Sequence, residues 1–89
     1  MINSNHCFSK NSTIIYKELD GATVLIDPYR RTIVNLNDTA REVWHLLDGQ
    51  RPVAGVIEAM REGFDIDEVT LRKDVLSFLD ELAKREMIA

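Results

Sequence analysis

The fold is decided by residues 31–49, RTIVNLNDTAREVWHLLDG, where the spacing of the apolar side chains changes. Residues 31–36 are rich in β-branched side chains, which favours a strand. From residue 38 onward the apolar positions follow helical spacing, at Ala40, Val43, Trp44 and Leu47. Gly49 then ends the helix. The stretch therefore predicts a strand that leads directly into an amphipathic helix.

The joint between strand and helix concentrates polar side chains that could carry chemistry. Asn37 or Asp38 is expected to cap the helix by accepting backbone N–H bonds. Glu42 and His45 lie three positions apart, a spacing used by di-iron bundles, but such bundles need further helices with the same ligands. We therefore expect solvated side chains here and no metal site.

Two more strands are predicted upstream, at residues 13–19 and 22–27. Asp20-Gly21 between them suits a tight hairpin turn. The sequence DPYR that begins at Asp27 suits a type I turn with proline in its second position. The picture is a three-stranded antiparallel meander with residues 31–36 at one edge.

Two more helices are predicted downstream. Pro52 can open the second helix, which carries the apolar stripe Val53, Val56, Ile57, Met60 and Phe64. A third helix is expected from about Asp67 to Arg85, with acidic residues in its first turn and basic residues in its last. Strands followed by segregated helices indicate an α+β fold, and this order has the outline of a winged helix-turn-helix.

Composition suits one small domain. The chain has 89 residues, 45% of them hydrophobic, and a formal net charge of −4. Residues 1–11 are polar and predict a flexible N-terminal tail in which His6 and the single cysteine, Cys7, are exposed and have no role. Residues 12–89 would form the domain. No signal peptide or membrane helix is expected, which suggests a cytoplasmic protein that does not bind membranes.

Neither catalysis nor nucleic-acid binding has a strong signal. Cys7 has no positioned base, and no phosphate-binding loop or metal motif is present, so no enzymatic activity, cofactor or metal is predicted. The third helix carries six acidic and four basic residues between Asp67 and Glu86, a poor footprint for phosphates. Arg30 and Arg31, in the region where the wing of a winged helix would lie, keep a winged-helix DNA-binding regulator as the alternative.

Peptide binding fits the pattern better. Apolar side chains of the third helix cover roughly 160° of arc at 100° per residue, wider than packing on one core requires. Either the helix is central and packs on two neighbours, or one edge of this arc lines an apolar groove that binds a partner. The strand at residues 31–36 has no proline or inward charge to protect its edge, so an extended peptide could add there. If the N–H of Val34 faces the edge, a proline there would weaken binding. The same edge could also pair two copies of the chain as a homodimer.

The ordered motifs of residues 22–89 resemble the PqqD family of small proteins from pyrroloquinoline quinone (PQQ) biosynthesis and other ribosomal peptide pathways. The motifs are LIDP at a strand end, LN before the first helix, W-x-x-LLDG at its end, and DV-x-x-FL-x-x-L in the last helix. Members acting in quinone biosynthesis often have a proline where Leu36 stands and Cys-Asp-Gly where this chain has residues 47–49. A PQQ, lasso-peptide or other pathway therefore stays open.

The resemblance implies a recognition element that binds the leader of a precursor peptide. The leader would add as a strand beside the third strand and lie against the third helix. The domain would then present the precursor to a modifying enzyme, such as a radical SAM protein or a leader peptidase. Carried over by position, the implied peptide-binding residues are Arg31, Thr32, Ile33, Val34, Asn35, Leu36, Leu71, Arg72, Asp74, Val75 and Phe78.

Overall fold

Three antiparallel strands precede three helices in the computed structural model, which describes residues 2–89. The elements are β1 (Ile15–Leu19), β2 (Ala22–Asp27), β3 (Thr32–Leu36), α1 (Asp38–Leu46), α2 (Val53–Arg61) and α3 (Glu68–Lys84). The predicted α+β order is confirmed, and the finer assignment as a winged helix-turn-helix stays a prediction. Within residues 2–89, no helix has the length and apolar character needed to cross a membrane.

The sheet has the order β1-β2-β3, so β2 is central and β3 lies at an edge. Asp20 and Gly21 have φ angles of 49° and 82°, as a two-residue type I′ hairpin requires. In the turn from β2 to β3, the buried carboxylate of Asp27 accepts the backbone N–H of Tyr29 at 3.1 Å and of Arg30 at 3.2 Å. These two turns fix the register of all three strands.

The helices pack on one face of the sheet and enclose the core. Asn37 caps α1 by accepting the Ala40 N–H at 2.8 Å, which decides between the two predicted caps. The centre of α3 faces inward with four buried side chains, Leu71, Val75, Leu79 and Leu82. Leu25 and Val34 meet this core from the sheet. Helix packing therefore covers the inner sheet face and leaves the outer face free of helices.

Residues 1–11 were predicted to form a flexible tail, and the structure corrects this for residues 2–11. Phe8 is buried in the core, and Lys10 forms an antiparallel bridge with Ile88. Ser9 and Ala89 exchange two backbone hydrogen bonds of 3.0 Å. The prediction was wrong because a short polar segment has no periodicity that reveals pairing with a distant chain end. Met1 lies outside the described residues.

The N-terminal segment also completes α2. Pro52 precedes this helix and offers no side-chain cap. The carbonyls of His6 and Ser4 instead accept the N–H groups of Val53 and Ala54, at 3.0 and 2.9 Å. Backbone groups that a helix leaves unpaired at its start are thereby satisfied.

Candidate functional site

The free edge of β3 offers backbone groups of only some of its residues. Leu19 and Ala22 flank the two-residue turn and form a hydrogen-bonded pair, and such pairs alternate along an antiparallel ladder. Following this alternation across β2 makes Leu25↔Val34 a hydrogen-bonded pair. The N–H and C=O groups of Ile33 and Asn35 must therefore point away from the sheet.

This alternation shows that the condition set for the Val34 proline prediction, an N–H at the free edge, is not met. The N–H of Val34 faces β2, and its side chain is buried opposite Leu25. Among residues 2–89, no backbone group outside the sheet bonds to Ile33 or Asn35. These two residues therefore offer two donors and two acceptors to an incoming strand.

A groove of about 600 Å³ runs beside this edge, between β3, α1 and α3. Its lining combines buried apolar side chains with polar ones at the rim. The lining residues are Asn35, Leu36, Asn37, Thr39, Ala40, Val43, Asp74, Ser77, Phe78 and Glu81. An unpaired strand edge and an apolar-floored groove thus lie side by side.

Four of the eleven predicted binding residues line this groove: Asn35, Leu36, Asp74 and Phe78. Leu71 and Val75 have no exposed surface, so the structure corrects their assignment to a peptide-contacting face. They lie on the part of the apolar arc of α3 that packs inward. The remaining edge residues, Arg31, Thr32, Ile33 and Val34, lie on or next to β3 but do not line the groove.

Arg72 is also outside the groove. It is exposed on α3, and the helical rotation from Asp74 turns it away from the lining face. The family resemblance placed both residues near the site, and the sequence could not show which edge of the apolar arc is open.

Sequence reasoning missed several lining residues. Thr39, Ala40 and Val43 come from α1, which was interpreted only as a packing element. Ser77 and Glu81 follow Asp74 by three and seven positions, the spacing of one helix face. That spacing was a usable signal once Asp74 had been chosen.

The groove is negatively charged. Its lining contains the carboxylates of Asp74 and Glu81 and no basic side chain. Glu81 forms an ion pair with Arg85, with 3.3 Å between the Glu81 Oε1 and Arg85 Nη2 atoms. Asp74 has no ion-pair partner among residues 2–89. The Asp74 end of the groove therefore holds the less compensated negative charge.

The outer face of the sheet is apolar as well. Ile15, Ile26 and Ile33 lie opposite one another across the three strands. Ile15 is 47% exposed and Ile33 is 64% exposed. A peptide added beside β3 would place alternate side chains next to Ile33 on this face and the others toward the groove.

The residues first considered for chemistry lie elsewhere. His45 is exposed, and its Nε2 lies 3.2 Å from the Tyr16 hydroxyl. That hydroxyl donates to the Glu18 carboxylate at 2.8 Å, which raises the pKa of Tyr16. The Cys7 thiol donates to the Gln50 carbonyl at 3.3 Å. Within residues 2–89, no group of three His, Cys, Asp or Glu side chains is placed to hold a metal ion.

With this geometry in place, comparison with protein families gives a match over most of the chain. The model described as coenzyme PQQ synthesis protein D (PqqD) matches residues 22–88. The chain belongs to the PqqD family. The matched range includes β2, β3 and all three helices, and thus both sides of the groove.

Curated relatives of this PqqD-family chain are named PqqA binding protein. The one from Pseudomonas paraeruginosa is 40% identical over 52 residues, which are 58% of this chain and 55% of the relative. The one from Azotobacter vinelandii is 35% identical over 60 residues, 67% of this chain and 64% of the relative. The chain thus aligns with less than two thirds of the length of these relatives.

Solved structures confirm the fold of this PqqD-family chain. One is described as lasso peptide synthetase B1 complexed with the leader peptide, with a TM-score of 0.78 and 20% identity over 93% of this chain and 98% of that chain. TbiB1 in complex with the TbiA(beta) leader peptide has a TM-score of 0.74 and 22% identity, over 89% of this chain and 92% of that chain.

Proposed function

We propose that this chain binds the leader segment of a ribosomally made precursor peptide by strand addition at β3. The observation that carries the proposal is the free edge of Ile33 and Asn35 beside an apolar-floored groove. Membership of the PqqD family supports it. Curated relatives named for binding PqqA, and similar folds solved with leader peptides, support it further.

Edge and groove would contribute different parts of the binding energy. Four backbone hydrogen bonds at Ile33 and Asn35 contribute about 2–6 kcal/mol at roughly 0.5–1.5 kcal/mol each. Ordering an extended peptide offsets much of that gain. One large apolar side chain buried beside Phe78 adds about 1.5–3 kcal/mol. The leader therefore needs an apolar anchor that reaches the groove.

We further propose that the chain has no catalytic role and presents the bound precursor to a modifying enzyme. A radical SAM protein or a leader peptidase would fit this role. Because precursor peptides are made on ribosomes, we place the complex in the cytoplasm. The pathway can be that of PQQ, a lasso peptide or another modified peptide.

DNA binding is not favoured. Arg30, one of the two arginines of the proposed wing, forms an ion pair with Glu86 and donates to the Arg85 carbonyl at 2.8 Å. An excess of acidic residues on α3 would also oppose the phosphate backbone. These two features favour a peptide ligand over a duplex.

Titration with the leader of the cognate precursor, followed by amide chemical shifts, tests the proposal. We expect the largest shifts in residues 32–36, in residues 74–81 and at the start of α1. The proposal fails if the leader binds without shifts in β3, or does not bind at all. Duplex binding that weakens steeply with salt would support the regulator instead, and concentration-dependent sedimentation without peptide would support a homodimer.

A further inference from the structure

On the side of α3 that faces the groove, acidic, polar and aromatic side chains follow one another in a fixed order. Asp74, Ser77, Phe78 and Glu81 are spaced by three, one and three residues, so they share one helix face. A partly buried aromatic side chain thus stands between two carboxylates. This arrangement distinguishes the face from an apolar groove that would accept any hydrophobic side chain.

The distance between side chains four residues apart on α3 is close to the distance between same-face side chains of an extended peptide. Asp74 and Phe78 are about 6 Å apart along the helix axis at 1.5 Å per residue. In an extended peptide, side chains on the same face repeat every two residues, about 6.8 Å. In a peptide that runs along α3, a side chain beside Phe78 therefore has its same-face neighbour close to Asp74.

We propose that the recognised leader carries a large apolar residue two positions from a lysine or arginine. The apolar side chain fills the groove beside Phe78, and the cation pairs with Asp74. This inference rests on the proposed function and specifies which class of leader this groove selects.

A basic side chain suits this position for two reasons. The carboxylate of Asp74 lacks an ion-pair partner among residues 2–89, whereas Glu81 has Arg85. Long basic side chains also cover apolar surface with their methylene groups while the charge remains in water. An acidic leader side chain at the same place would be repelled by the Asp74 carboxylate.

Selection from a random peptide library tests the inference without knowledge of the precursor. A displayed library of 12-residue peptides is sorted against the native chain, Asp74→Asn and Asp74→Lys. We expect the native chain to enrich Lys or Arg two positions from a large apolar residue. Asp74→Asn should lose the basic preference, and Asp74→Lys should replace it with Asp or Glu. Asp80→Lys is the matched control, because Asp80 lies on α3 but does not line the groove; it should keep the native preference.

A selected peptide then gives the energetic test. Replacing its basic residue by Gln should weaken binding to the native chain about two- to fivefold at low salt, as a partly exposed ion pair implies. The same replacement should have no effect on binding to Asp74→Asn. Thermal unfolding of each variant shows that the fold is intact.

The two proposals fail in different ways. If selected peptides shift β3 amides but show no basic preference, or Asp74→Lys enriches the same peptides as the native chain, the inference is overturned and leader binding stands. If no selected peptide shifts β3 amides, and the cognate leader also leaves them unchanged, strand addition itself is overturned.

Discussion

At the scale of single residues, Ile33 and Val34 are neighbours whose backbone groups face opposite ways. Val34 bonds to β2, whereas Ile33 presents its N–H and C=O at the free edge. Their side chains are reversed in burial too, with Val34 in the core and Ile33 64% exposed. The same substitution must therefore have different consequences at the two positions.

Ile33→Pro is expected to weaken leader binding about five- to tenfold, because it removes one outward N–H worth about 1 kcal/mol. Edge strands tolerate proline where the N–H faces solvent, so the fold should survive. Ile33→Ala is the matched control, since it removes the side chain and keeps the N–H. Isothermal titration with the leader measures both variants, and equal affinities for proline and alanine would contradict the assigned edge.

Val34→Pro should instead lower the free energy of unfolding, because it breaks a bond to β2 and removes a buried side chain. Denaturant unfolding measures this loss. A stably folded Val34→Pro chain that fails to bind the leader would mean that the alternation along β3 is the reverse of the one described.

At the scale of elements, the sequence was sufficient to predict all three strands, all three helices and the edge position of β3. Apolar spacing, the Asp20-Gly21 turn and the polar caps are local signals, and each has a local physical cause. The apolar arc of α3 was also visible as too wide for a single packing partner. Which edge of that arc stays open was not predictable, because it depends on contacts between distant segments.

Those contacts are now identifiable. At one edge of the arc, Leu76 lies near Ile2 of the N-terminal segment. At the other edge, Phe78 borders the groove. Because the segment before β1 was taken for a tail, nothing in the sequence indicated that this segment borders one edge of the arc. Leu71 and Val75 were assigned to a binding face from the family resemblance, although they lie inside the core.

Filling the groove should abolish leader binding without unfolding the chain. Ser77 is exposed and lines the groove, so Ser77→Tyr would occupy the space beside Phe78. We expect at least a tenfold loss of leader affinity by fluorescence anisotropy and little change in Tm. Arg72→Tyr is the control on the same helix, and it should bind normally. Normal binding by Ser77→Tyr would show that the groove is not the anchor site.

Asp48, in the connection between α1 and α2, should make the free energy of unfolding depend on pH. Asp48 accepts the N–H groups of Gln50 and Arg51 at 2.9 and 2.7 Å, and these bonds lower its pKa below the ordinary 3.8. Its stabilising effect is therefore complete above the unfolded-state pKa and is lost as pH falls through the folded-state pKa. Asp48→Asn keeps the acceptor oxygen and does not titrate.

The free energy of unfolding of the native chain should therefore fall more steeply below about pH 4 than that of Asp48→Asn. Denaturant unfolding at several pH values measures the difference between the two chains. Parallel curves would show that the carboxylate of Asp48 does not stabilise this connection.

At the scale of the whole molecule, the two chain ends hold the fold together. The N-terminal segment pairs with residues 87–89, supplies acceptors to the start of α2 and buries Phe8. This segment lies outside the region matched by the family model, which begins at residue 22. A small core gains a substantial share of its stability from one such aromatic side chain.

Phe8→Ala is expected to lower the free energy of unfolding by about 3 kcal/mol, the lower end of the range for truncating a buried aromatic residue. His6→Ala is the control, because His6 is exposed and only contacts the Phe8 ring edge-on at 4.3 Å between ring centres. It should have a small effect in the same denaturant experiment. Equal, small losses for both variants would mean that the N-terminal segment is not part of the folded core.

The central claim is that a leader peptide extends the sheet at β3, and amide hydrogen exchange tests it most directly. Val34 is already bonded to β2 in the free chain, whereas the N–H groups of Ile33 and Asn35 are free. Exchange measured with and without saturating leader should therefore show new protection at Ile33 and Asn35 and little change at Val34. Leader binding that leaves Ile33 and Asn35 unprotected would contradict the account.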